Sequence, residues 1–590
     1  MPTQKLTPPA LIVLVLCLFT FAMSAVIHTT TFESLPHLED EYAYLFQART
    51  MARGDLVIDT PIPRRAFWQP FVIDRDGQRF GKYTPGWALL LAGGVAAGGG
   101  GAEWIVNALL SALTVAVVYQ IGRALFSRDV GLIAAGLVAF SPAALLLNGT
   151  LMGHTAALCA GTLTLWAYLR FEAARAARGT RLFWAILCGL AAGLLIANRP
   201  LTALAFVLPV AFHAANRLFA QQSFADLRRF IGGHLVIAGL AGGLALLVPG
   251  YNIAATGDPT ANLYTFVWSY DCVGFETCGR SGHTLEKAFR HTRFDLSLTA
   301  ADLFGWQIGD LTDAARAHLL TESDTYPQVG FSWLLLPLGV ALALRRRWWL
   351  GVVWLVGIIA AVLYANMTNG GSLLTDPQFG WQWVIAAIGW TLLPLVLLRD
   401  RTAAWTWMLV TTIALLLIFQ LTYWVGSQRY STRYYFEGLA AAALLSAVPL
   451  AWLSQRSRRF ASPILYGALI GVLLTSLTAY SLPRIDVLRG YNQITRAQID
   501  AVESRRDGDS PVLVIVTGSD VRWRAFGALM ALTNPYLDND TVVAWDYSGG
   551  TNDTVRTQLL QRFADRQIID MAAEGNGAWF LDDDDATASP

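Results

Sequence analysis

Three acidic residues in a row, Glu39, Asp40 and Glu41, follow directly on the first membrane-length apolar stretch of this chain. Carboxylates are costly to keep beside lipid, so their presence there calls for a functional explanation. A carboxylate fixed at a membrane edge can take the proton of an incoming hydroxyl. A plain helix start is the other reading, since the helix dipole favours acidic side chains in the first turn and accounts for one or two of the three. The apolar residues that follow, through Tyr44 to Arg49, suit an amphipathic helix lying along the membrane surface.

Cationic side chains recur at comparable places. Lys82 stands in Lys82-Tyr83-Thr84-Pro85, a lysine before a proline turn that could pair with a phosphate. Arg199 stands in Asn198-Arg199-Pro200, where the proline fits the first turn of a helix and puts the arginine between two spans. Arg429 and Arg433 flank Tyr430-Ser431-Thr432, and Tyr434 and Tyr435 follow. Guanidinium groups match phosphate in a two-point fashion, so arginines among phenols make a phosphate pocket. Their ordinary reading is an interfacial belt with snorkelling cations. Glu437 lies four residues after Arg433, on the same face of a helix, and would orient it. His154, near the end of a span, reads first as a packed or hydrogen-bonded histidine and second as a ligand of the substrate.

These residues have to be positioned by membrane helices. The chain has 590 residues, 54% hydrophobic and 14% charged, with a net charge of +1. A soluble protein carries roughly a quarter charged residues. No basic stripe points to nucleic acid. Apolar runs predict spans near 10–27, 104–121, 130–148, 151–170, 182–198, 201–219, 231–249, 331–344, 349–365, 380–398, 404–424, 434–452 and 461–481, about 13 in all. The first reads as a retained signal anchor in preference to a cleaved signal peptide.

Alternate short loops are rich in arginine, among them Arg170 to Arg181, Arg345-Arg346-Arg347 and Arg456 to Arg459. The positive-inside rule makes that set, and the N-terminus, cytoplasmic. The loops near 28–103 and 250–330 and the tail then lie outside, on the same side as Asp40. With that parity the run Gly86–Ala97 is an interfacial or partly inserted helix and not a span. Arg199, Arg429 and Arg433 are cations on the disfavoured side, which is why they draw attention as an anion site.

The expected fold is therefore mostly α: a polytopic bundle over 1–482, then a small extracytoplasmic α/β domain over 483–590. In the tail, strands are predicted at Val512–Thr517, Thr541–Asp546, Gln567–Met571 and Ala578–Leu581, with helices over Asp486–Ser504, Val521–Leu532 and Asn552–Ala564. Cys272 and Cys278 lie in a polar loop where they could form a local disulfide, while Cys17, Cys159 and Cys188 sit in apolar spans as packing residues. No cofactor is called for, and no ligand set supports a metal.

Asp40-Glu41 with Tyr44, the Lys82-Tyr83-Thr84-Pro85 turn and Arg433-Tyr434-Tyr435 together resemble the GT-C superfamily of multi-spanning glycosyltransferases. That superfamily includes protein O-mannosyltransferases and the aminoarabinose transferases of lipid A. The resemblance covers about residues 1–480. Many relatives have two prolines after the lysine, where this chain has Thr84-Pro85. It implies an inverting transfer of a sugar from a polyprenyl-phosphate donor to a lipid, polysaccharide or protein hydroxyl, at the outer face of a plasma membrane. Asp40 would be the base and Glu41 would position the helix or the acceptor. Arg433, Arg199 and Lys82, with Tyr434, would hold the donor phosphate, and Arg429, Tyr44 and His154 would stand near it. The competing readings are a flippase or transporter of a lipid-linked anionic glycan, using the same arginines without a base, and an inactive scaffold.

Overall fold

The computed structural model describes residues 7–98, 101–174, 178–221, 223–307, 330–427, 430–456, 461–518, 523–549, 553–574 and 577–580. Among them, ten helices are long and apolar enough to cross a membrane, and an eleventh span arises if one bent pair is counted as a unit. The expectation of about 13 is corrected in three places. α5 (Arg128–Ala139) and α6 (Pro142–Asn148) are not one straight span but meet at 57°. Ser141 caps α6 by accepting from the Ala144 N–H, and Pro142, lacking an N–H, cannot continue the helix before it. α7 (His154–Ala173) is long enough, yet it is too polar, because His154, Thr155, Thr162 and Thr164 face other helices instead of lipid. Leu335–Leu344 is only 10 residues long.

The spans form layers. Arg401–Gln420 and Leu439–Arg456 are mostly buried and make the centre, while Phe224–Ala245 has no buried residue and Trp349–Met367 buries only Ala365, leaving apolar side chains such as Leu235 and Val356 outward. α1 (Pro8–Thr30) packs on α4 (Trp104–Leu125) and keeps its hydroxyls satisfied along its own axis, Ser24 Oγ donating to the Thr20 carbonyl at 2.8 Å. That back-bonding is what lets a hydroxyl sit in an apolar span.

Between α1 and α4 the chain builds the site. α2 (Glu39–Ala52) is followed by a three-stranded antiparallel sheet, order β1-β3-β2, of Ile58–Asp59, Val72–Arg75 and Gln78–Gly81. Asp76 and Gly77 both take positive φ, the geometry of a tight two-residue hairpin, and the returning strand delivers Lys82 and Tyr83 in front of α2. α3 (Pro85–Gly98) has 14 residues, short of a span, and packs on α2 and on α8 (Arg178–Asn198).

The C-terminal region is a four-stranded sheet, order β5-β4-β6-β7, of Val512–Thr517, Thr541–Asp546, Gln567–Glu574 and Gly577–Phe580. β4 pairs in parallel with β5 and β6, and β7 closes an antiparallel edge. The strand period of two divides β4 between two cores: Val512, Val514 and Val516 face one, Leu513 and Ile515 the other. The first of these cores includes Leu35 and Tyr42. The Tyr42 hydroxyl donates to the Gly527 carbonyl at 2.8 Å, and Arg49 donates to the Ala531 carbonyl at 3.1 Å.

α2 is therefore not an amphipathic helix on a surface. Glu41 to Ala48 are all buried, because the C-terminal region covers the face that α3 does not. The helix expected over Asp486–Ser504 is broken into Leu482–Asp486, a 3-10 turn at Tyr491–Gln493 and Ala497–Ser504, with Gly490 in the left-handed region at the break. Replacing Tyr42 by Phe leaves the ring in the core but removes one donor from each of the Gly527 and Pro36 carbonyls, and is expected to cost about 1 kcal/mol. A lowered melting midpoint of the purified protein in detergent is the check, and an unchanged one would count against the brace.

Candidate active site

The start of α2 holds two carboxylates with opposite surroundings. Glu41 is completely buried. Its Oε2 accepts from the backbone N–H of His37 at 2.9 Å and Leu38 at 3.0 Å and from the Tyr430 hydroxyl at 3.0 Å, and its Oε1 accepts from the Leu151 N–H at 2.8 Å. The Leu38 contact is half of a capping box, which fixes the helix start. Burial pushes the Glu41 carboxyl above the usual carboxylate range, against the pull of those four donors. No face of this group is left for a substrate.

Asp40 points the other way. Its Oδ1 accepts from the Tyr83 hydroxyl at 2.7 Å, and its Oδ2 lies 3.5 Å from Arg433 Nη1. The side chains of Asp40 and Arg433 keep 14% and 10% exposure, so each is mostly covered but retains a small open face. Tyr44, one turn along α2, lies against the Tyr83 ring at 4.4 Å between centroids and fixes the phenol that holds Asp40. Tyr434 lies beside the Arg433 guanidinium, 5.4 Å from its ring centre. Burial beside Asp40 and Tyr44 keeps the Tyr83 hydroxyl protonated well past its usual range, so it stays a donor.

Two further pairs flank this one. Lys82 Nζ is 3.6 Å from Asp271 Oδ2, with both side chains almost wholly buried. The ammonium sits over the Phe71 ring at 3.5 Å and within 5.2 Å of the Tyr83, Tyr264 and Trp268 rings. Asp271 also accepts from the Tyr423 hydroxyl and the Trp424 indole, each at 3.0 Å. Burial draws the Lys82 ammonium below the ordinary lysine range, and Asp271 and then Asp40 pull it partly back. Lys82 thus faces an internal carboxylate, within an aromatic cage that favours a cation.

Arg199, at the residue before α9 (Pro200–Leu218), places Nε 3.3 Å from Glu437 Oε1, and His154 Nδ1 meets the same oxygen at 3.1 Å. Arg199 Nη1 also stands 3.3 Å from His154 Nε2. Glu437 therefore orients Arg199 and His154, not Arg433. The reason is local: Arg433–Gly438 is a 3-10 turn, and at three residues per turn positions four apart no longer share a face.

Asp40, Tyr44, Arg199, Arg433, Tyr434 and His154 thus gather at one end of the bundle, Lys82 lies one carboxylate behind them, and Arg429 lies outside the described residues. Tyr83, Asp271 and Tyr430 are partners that the sequence reading left without a role, and Glu437 is one that it gave to Arg433 instead of Arg199 and His154. Tyr83 alone had a local signal, its place beside Lys82. The local disulfide does form, between Cys272 and Cys278, directly after Asp271. Among the described residues no group of three His, Cys, Asp or Glu stands ready to hold a metal.

No family model matches the chain, and no curated protein matches it. Among solved structures it is similar to ArnT of Cupriavidus metallidurans bound to undecaprenyl phosphate, with 13% identity and a TM-score of 0.43 over 94% of this chain and 89% of that one. It is also similar to AglB of Archaeoglobus fulgidus, an archaeal oligosaccharyltransferase in complex with an inhibitory peptide and a dolichol-phosphate. There the identity is 13% and the TM-score 0.40, over 94% of this chain and 69% of that one. Both are GT-C membrane glycosyltransferases, and the similarity runs across most of the chain.

Truncating Glu41 to Ala leaves three backbone N–H groups and a phenol without an acceptor in a buried place. The expected loss is at least about 3 kcal/mol of stability, at about 1–3 kcal/mol per stranded group. Thermal melting measures it, and a midpoint like that of the wild type would show that the carboxylate does not fasten α2.

Proposed function

We propose that the chain is an inverting glycosyltransferase that uses a polyprenyl-phosphate sugar, with Asp40 as the base and Arg433 as the principal phosphate ligand. The observation that carries this reading is the contact of the Asp40 carboxylate with the Arg433 guanidinium, each side chain keeping a small exposure, donated by elements far apart in sequence at one end of a membrane bundle. The motif resemblance noted above and the asymmetry of arginine among the short loops support the same reading, with the cleft on the outer face of the plasma membrane.

The chemistry is a charge exchange. The acceptor hydroxyl gives its proton to Asp40 as its oxygen bonds to the anomeric carbon from the face opposite the phosphate. The carbon–oxygen bond to the phosphate breaks, and its electron pair leaves on the phosphate oxygen. Negative charge moves from Asp40 to the departing phosphate, and Arg433, freed from the now neutral carboxyl, follows it. A cation that meets charge as it develops lowers the barrier most. Arg199, on its own carboxylate, adds a second positive group at the rim. Lys82 acts from behind, where its charge is already shared with Asp271. Tyr83 and Tyr44 hold the base in place. Glu41 is a positioning residue whose bonds hold α2 and hence Asp40.

Asp40→Asn is expected to lower transfer from a defined polyprenyl-phosphate sugar at least about 100-fold, with expression and melting midpoint near those of the wild type. Retained turnover would exclude Asp40 as the base. Arg433→Ala is expected to weaken undecaprenyl phosphate binding about tenfold or more, and unchanged affinity would remove Arg433 from the phosphate site.

A further inference from the structure

The four residues that end in Arg433 are each fastened to a different point. The Tyr430 hydroxyl donates to Glu41, Ser431 Oγ donates to Asp302 Oδ2, Thr432 Oγ1 accepts from Thr299 Oγ1 at 2.6 Å, and Arg433 meets Asp40. All four are buried. Tyr430 and Ser431 are both in the left-handed region, at φ 54° and 62°, and neither is glycine. A side chain pays in free energy for that backbone, so two in succession persist only where the surroundings enforce them.

The enforcing group for Ser431 is Asp302, the last residue of α12 (Leu285–Asp302), which is itself held by more than the serine. Its Oδ1 accepts from the Tyr480 hydroxyl at 2.5 Å, and its Oδ2 lies 3.4 Å from Arg484 Nη2. A carboxylate buried at 1% exposure and tied to the last long helix is a rigid post. The serine hydroxyl links that post to the turn, and the turn sets the direction in which the chain enters the 3-10 segment that carries Arg433.

We propose that Asp302 is a positioning residue for the donor phosphate: through Ser431 it keeps a left-handed turn in place, and the turn aims the Arg433 guanidinium into the cleft. The inference rests on the assignment of Arg433 to a polyprenyl phosphate. Without the hydroxyl the turn relaxes towards right-handed backbone, and Arg433 is carried off its line.

The experiment measures binding of undecaprenyl phosphate to the full-length protein in detergent, with the melting midpoint recorded beside it. Ser431→Ala is expected to weaken binding about tenfold, the effect of one lost hydrogen bond plus freed backbone. Tyr480→Phe removes a bond from the same carboxylate without touching the turn. It should lower the midpoint comparably and leave affinity within about twofold. Ser431→Gly should bind more tightly than Ser431→Ala, because glycine holds the left-handed region without penalty. Wild-type affinity in Ser431→Ala, an equal loss in Tyr480→Phe, or no advantage of glycine over alanine would each overturn the proposal while leaving the donor assignment intact. A wild-type protein that binds no undecaprenyl phosphate would overturn the donor assignment, and this proposal with it.

Discussion

Neighbouring residues on a helix point about 100° apart, and the site depends on that angle. Glu41 faces inward and is held by four donors from three separate stretches of chain, while Asp40 faces Tyr83 and Arg433. The inner carboxylate fixes the helix, and the fixed helix gives the outer carboxylate a defined place. Fastening through Glu41 also links α2 to Leu151 and to Tyr430, so the stretches next to His154 and Arg433 share one anchor with Asp40, the proposed base. A base on a freely moving surface helix would lose the orientation that proton transfer needs.

The same economy governs charge. Three cations at the site, Arg433, Lys82 and Arg199, each stand within 4 Å of a carboxylate, from Asp40, Asp271 and Glu437 respectively. Pairing is what lets ions remain at the edge of an apolar bundle. The pairs differ in access. Lys82 and Asp271 are sealed among aromatic rings, whereas Arg433 and Arg199 keep partial exposure. In the reaction proposed above, an incoming phosphate would meet guanidinium groups first, and protonation of Asp40 would neutralise the partner of Arg433 and release that cation.

Much of this architecture could be read from the residues in order, and the failures are physical. β4 and β5 were legible to the residue, because Val512–Thr517 and Thr541–Asp546 are compact apolar runs bounded by turn formers. The span count is too high where a helix is shielded by other helices: the apolar residues of α7 read as a span over 151–170, yet its buried His154 and threonines, which need no lipid-compatible surface, leave it too polar to be one by composition. The Ser141-Pro142 break was written in the sequence as a cap and a helix-starting proline, and was masked by the apolar residues on either side. Asp40, Arg199 and Arg433 stood out because polar groups are rare in such chains. Their partners did not, since Asp271 meets Lys82 and Glu437 meets Arg199 only through the fold. Glu437 was assigned to Arg433 by α-helical spacing, a rule that fails in a 3-10 turn.

The C-terminal sheet then has a structural reason to exist. α2 carries Glu41, Tyr42, Tyr44 and Gln47 among its buried residues, and its mean pattern is too polar to seat itself in lipid. The bundle covers one side through α3, and a second cover is required if the helix is to be dry all round. The apolar core that holds Tyr42, with Val512, Val514, Val516, Phe526 and Leu529 among its members, supplies it, and Trp523 packs edge-on against the Tyr42 ring at 5.4 Å. Polar contacts at the rim add direction: Arg53 pairs with Asp538 at 2.5 Å, and Arg524 reaches Glu39 at 3.7 Å. The exposed pair contributes little free energy, so the apolar face does the holding and the ions set the register. Water excluded from the back of α2 is water that cannot compete for the donors of Glu41, so the cover over Tyr42 helps to hold the helix that carries Asp40.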